Sequence, residues 1–82
     1  MKATVTVELK SAVLDPQGKA IQHSLEALGF GGVEDVRVGK LFRITLNDAS
    51  ASRDQTEQQL RQMAEKLLAN PVVENYSFQM EG

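Results

Sequence analysis

The sequence predicts an α+β fold, a two-layer sandwich with an antiparallel sheet on one side and two helices on the other. Three observations point to it. Strict two-residue alternation opens and closes the chain, two central stretches carry helical spacing, and an even-numbered apolar run lies between the two helices. With 82 residues, the chain reads as a single domain spanning residues 1–82.

The first strand covers residues 3–9. Ala3, Val5, Val7 and Leu9 share one face, and Thr4, Thr6 and Glu8 take the other, so one side meets a core. Asp15 then caps a helix, because its carboxylate can accept from the free amides of the first turn. Pro16 suits the first helical position, where no amide is needed. Ile21, Ser24, Leu25 and Leu28 form a narrow apolar stripe, and Gly29 ends the helix as a left-handed cap with Phe30 folding back.

Val36, Val38, Phe42, Ile44 and Leu46 all occupy even positions and so one strand face. A two-residue turn at Gly39-Lys40 would pair 38 with 41 and 36 with 43, placing Phe42, Ile44 and Leu46 away from the core. A long bent strand or a three-residue loop keeps the five together, and both remain open. The long form leaves an overhang that favours a sheet shared across a dimer.

The polar run 47–52 connects to a second helix over about 53–69, capped by Ser52, with Asp54 and Glu57 near its positive end. Leu60, Met63, Ala64, Leu67 and Leu68 make its buried stripe, and Asn70-Pro71 stops it. In the last strand Val72, Tyr76, Phe78 and Met80 share a face. The order β-α-β(β)-α-β is that of a ferredoxin-like sandwich.

Composition narrows the function. So short a chain buries only ~60–65% of the surface it exposes unfolded, so help from disulfides, metals or association is expected. The chain has no cysteine and one histidine, which leaves association and predicts no metal site and no cofactor bound by this chain. Nine basic and eleven acidic residues give a net charge of −2 without like-charge runs, against nucleic-acid or membrane partners. A cytoplasmic location is the expectation.

No catalytic set emerges. His23 lies one position off its helix's apolar stripe and reads as a surface or boundary histidine, with no nucleophile assigned to it. Glu34 and Asp35 are adjacent and point apart, and Phe30-Gly31-Gly32 reads as a helix exit, not a phosphate loop. An RNA-recognition module lacks its basic surface, and an acylphosphatase-like site lacks its arginine after the first strand. Lys40 and Glu74 interrupt apolar strand faces. They sit either at wet positions or opposite a charge.

Three strings then carry a resemblance: Val13-Leu14-Asp15-Pro16-Gln17-Gly18, Val36-Arg37-Val38-Gly39-Lys40, and Lys66-Leu67-Leu68-Ala69-Asn70-Pro71-Val72-Val73-Glu74. In this order and at these separations they resemble the PurS family, the small subunit of phosphoribosylformylglycinamidine synthase in purine biosynthesis. Valine at 73, where the family commonly has isoleucine, is a mild departure. The resemblance implies a non-catalytic homo-oligomeric subunit, at least a dimer. It would bridge a large synthase subunit, which binds ATP and magnesium, and a glutaminase subunit, and help ammonia pass between them. Carried over, the working positions are Asp15, Pro16, Gln17, Gly18, Arg37, Gly39, Lys40, Asn70, Pro71 and Glu74, with Arg37 and Lys40 the foremost interface charges. The alternative is a small-molecule-binding regulatory domain of the same fold, which needs a glycine turn before the first helix. Here Gly18 falls inside that helix.

Overall fold

A computed structural model describes residues 1–47 and 52–81. Strand β1 (Lys2–Leu9) leads to helix α1 (Pro16–Ala27), strand β2 (Gly39–Thr45), helix α2 (Arg53–Met63) and strand β3 (Glu74–Glu81). The sheet order is β2-β1-β3, with β1 antiparallel to both neighbours. Val5 stands opposite Phe42 on one side and Phe78 on the other, so the predicted apolar faces coincide. The α+β class and the element order follow the sequence reading.

The core lies between β1 and α2. Ala3, Val5 and Val7 meet Leu60, Ala64 and Ala69, and Phe42, Ile44, Phe78 and Met80 pack around them. A capping box fixes the start of α2: the Ser52 hydroxyl accepts from the Gln55 amide, and the Gln55 side chain accepts from the Ser52 amide. Buried Thr56 is satisfied by donating its hydroxyl proton to the Ser52 carbonyl at 3.1 Å. After Met63 the helix widens into a π turn, Ala64–Leu68, closed by the Ala69 amide on the Ala64 carbonyl at 2.7 Å.

Helix α1 departs from expectation in where its stripe points. Its ends are as read: Asp15 caps it, and Gly29 at φ +99° closes it, with the Phe30 amide reaching back to the Leu25 carbonyl. Yet Ile21 is 38% and Leu28 is 73% exposed. The helix lies instead against residues 34–36, with Gly18 under the Val36 carbonyl and the Gln22 amide donating to the Glu34 carbonyl. Nor does Gly39-Lys40 form a hairpin: β2 begins at Gly39, and 33–38 carry no ladder. The radius of gyration is 16.5 Å, where a compact chain of this length has roughly 12 Å. Helix α1 and residues 33–38 thus form an arm.

Candidate functional site: the junction at the base of the arm

The first two strings of the sequence meet where the arm leaves the sheet. Both oxygens of Asp15 are used: Oδ1 accepts the Gly18 amide at 2.9 Å, and Oδ2 accepts the Val38 amide at 2.8 Å. One carboxylate thus caps the helix and ties down the returning chain. Arg37 closes the other side, its Nη2 donating to the carbonyls of Lys10 at 2.9 Å and Val13 at 2.7 Å. Gly18 allows the close approach, since a Cβ there would lie 2.0 Å from the Val36 oxygen. Gly39 allows a second one, with a Cβ at 2.9 Å from the Val7 oxygen.

The third string forms its own turn beside the junction. The Asn70 side chain accepts from the Val72 amide at 3.1 Å, and the Glu74 carboxylate accepts from the Asn70 amide at 2.7 Å. The Lys10 amide on the Val73 carbonyl joins this turn to the junction. Pro16, Gln17, Lys40 and Pro71 are exposed around it. Glu74 therefore has a local role as a turn closer, while Lys40 is a surface charge.

Sequence reasoning did not anticipate the partners of Arg37 or the Val38 amide. They are main-chain groups, which leave no trace in residue type. The chemistry of the junction is structural: each of these donors meets an acceptor within the chain. Among the described residues, no three of His, Cys, Asp and Glu come together as metal ligands.

The Val38 and Gly18 amides, helped by the nearby Arg37 charge, hold the Asp15 carboxyl below its ordinary value, against the opposing effect of desolvation. A depressed folded-state value means stability that is present above the ordinary pKa and lost as pH falls through the lowered one. Asp15→Asn is therefore expected to melt below the parent at neutral pH, with the gap closing as pH falls through and below the ordinary carboxylate range. A constant gap across that range in thermal melts would refute the linkage.

The two flanks of α2 differ. Toward β3, Arg61 lies 5.4 Å over the Phe78 ring, and the Tyr76 hydroxyl donates to Glu65 at 2.9 Å, so charged side chains lid that seam. Toward β2, Ile44, Met63, Leu67 and Leu68 line an apolar groove rimmed by Gln59 and Lys66, and Leu67 is 83% exposed.

Residues 2–82 match the family model described as PurS, phosphoribosylformylglycinamidine (FGAM) synthase. The chain is 42% identical over 80 residues to the PurS subunit of that synthase from Bacillus subtilis (strain 168), covering 98% of this chain and 92% of the relative. It is 46% identical over 77 residues to the subunit from Archaeoglobus fulgidus, with 94% of each chain covered. Among solved structures, B. subtilis PurS in a C2 crystal form superposes with a TM-score of 0.86 at 42% identity, covering 99% of this chain and 98% of that one. A structure of PurLQS from Thermotoga maritima contains a chain that matches with a TM-score of 0.83 at 28% identity, covering 95% and 93%.

Proposed function

The chain belongs to the PurS family of phosphoribosylformylglycinamidine synthase subunits, and from that membership we propose that it is the non-catalytic bridge of the complex. In this reading it joins the ATP-dependent synthase subunit to the glutaminase subunit and supports ammonia transfer between them. ATP and magnesium belong to the large partner, and the complex works in the cytoplasm. The observation that carries the reading is similarity along the whole chain, both to PurS subunits and to a chain of a PurLQS assembly. The junction agrees with it, because its polar groups are spent on holding a shape and not on a substrate.

The chain works as at least a dimer. Its accessible surface is 6042 Å², where a compact monomer of 9.0 kDa exposes about 4,900 Å². The excess of roughly 1,100 Å² is of the size that a stable interface removes from one partner, about 800 Å². Among the described residues no strand pairs with the outer edge of β2, and a second copy there extends the sheet across the pair. Exposed Lys40, near that edge, serves as an interface charge. The regulatory-domain alternative is disfavoured, since Gly18 is covered by Val36 and offers no open turn to a ligand.

Reconstitution tests this. The matching large subunit and glutaminase, supplied with glutamine, ATP and the ribonucleotide substrate, are expected to turn over with this chain and to lose glutamine-dependent turnover without it. Full glutamine-dependent activity in its absence refutes the bridging role.

A further inference from the structure

The end of α2 is out of phase with its beginning. Leu60 and Ala64 are fully buried. At 3.6 residues per turn, Leu67 belongs on the same face, three residues after Ala64 and seven after Leu60. Yet Leu67 is 83% exposed, while Leu68 is half-buried and Ala69 is buried. The π turn Ala64–Leu68 causes the offset. Its closing bond, from the Ala69 amide to the Ala64 carbonyl, spans five residues instead of four, so each inward place is reached one residue later.

The same residues fit a second register. With the Leu68 amide on the Ala64 carbonyl, the turn becomes α-helical. Leu67 then takes the place of Leu68, leucine for leucine, and Leu68 takes the place of Ala69. The second exchange is the unfavourable one, because a leucine enters a site that holds alanine and is 7% exposed. The small site at Ala69 therefore selects the π turn.

We propose that the end of α2 is a two-register switch, in which a one-residue slip exchanges Leu68 for Leu67 at the core and passes one residue into the turn before β3. That turn is where the slip is felt. In the π register the Asn70 carbonyl accepts from the Val73 and Glu74 amides, and the Glu74 carboxylate accepts from the Asn70 amide. The Val73 carbonyl takes the Lys10 amide. Glu74 is pinned opposite Leu9, so an extra residue ahead of it breaks this spacing and releases the Lys10 amide. The carbonyl of that same lysine holds Arg37. The switch thus links the exposed flank of α2 to the base of the arm through groups bonded end to end.

Leu68→Ala separates the two registers. In the α register it puts alanine into the small site and leaves Leu67 to fill the place of Leu68, so this variant is expected to slip. At matched concentration its melting temperature should fall by no more than about 5 °C. In a Leu67→Ala background the same exchange should cost roughly 10 °C or more, since no leucine is left to move in. In the single variant the Lys10 amide should exchange with solvent about 10-fold faster or more, while Val5 and Val7 in the middle of the ladder keep their protection. A penalty for Leu68→Ala that does not depend on residue 67 overturns the switch. So does unchanged protection at Lys10 in the single variant.

Discussion

Gly18→Ala is expected to detach the arm. In an exposed helix interior, exchanging glycine for alanine gains up to about 1 kcal/mol from propensity alone. Here the added carbon would sit 2.0 Å from the Val36 oxygen and 2.9 Å from its carbonyl carbon, both main-chain atoms with no rotamer to move. Relief requires the helix to part from residues 36–38, which pulls Asp15 off the Val38 amide. Overpacking of this kind costs up to about 3 kcal/mol and exceeds the propensity gain. The Val38 amide should then exchange with solvent about 10- to 100-fold faster. Reconstituted glutamine-dependent turnover should fall with it. Unchanged protection at Val38 would show that the junction yields without opening.

Leu60→Ala should cost the domain most of its margin. Leu60 is fully buried between β1 and α2, and removing three heavy atoms from such a site costs about 2–5 kcal/mol. A domain of this length has only about 4–12 kcal/mol in total. The melting temperature is expected to drop by roughly 15 °C or more. Leu67→Ala, the same exchange seven residues on at an 83% exposed position, should shift the isolated chain by no more than about 0.5 kcal/mol. Comparable losses at both sites, in melts of the two variants, would contradict the packing described here.

Much of this was legible in the residues because side-chain chemistry acts locally. Alternation in 3–9 located β1, Asp15 and Ser52 located two helix starts, and Gly29 located an end. Even-numbered apolar residues gave the face of β2 correctly, though the strand proved shorter than the pattern. The arm was not legible. Helical spacing shows that α1 has an apolar side, but an apolar stripe looks the same whether its cover comes from its own chain or another. The junction was half legible: Asp15, Gly18, Arg37 and Gly39 stood out, but their partners are amides and carbonyls that any residue supplies. The π turn was also invisible, since Ala64-Glu65-Lys66-Leu67-Leu68 suits an ordinary helix equally well.

The central place of β1 carries a consequence for how the chain acquires its shape. Lys2 is matched with Thr45 on one side and with Glu81 on the other, so β1 is completed on both sides by residues made well after it. Both ladders close long loops, and that entropy must be lost before the ladders return any stabilisation. During synthesis Val5 and Val7 stay uncovered until α2 and β3 have been made, a period in which they are open to wrong neighbours. The threonines alternating with them keep the other face of the waiting strand polar and limit that hazard to one side.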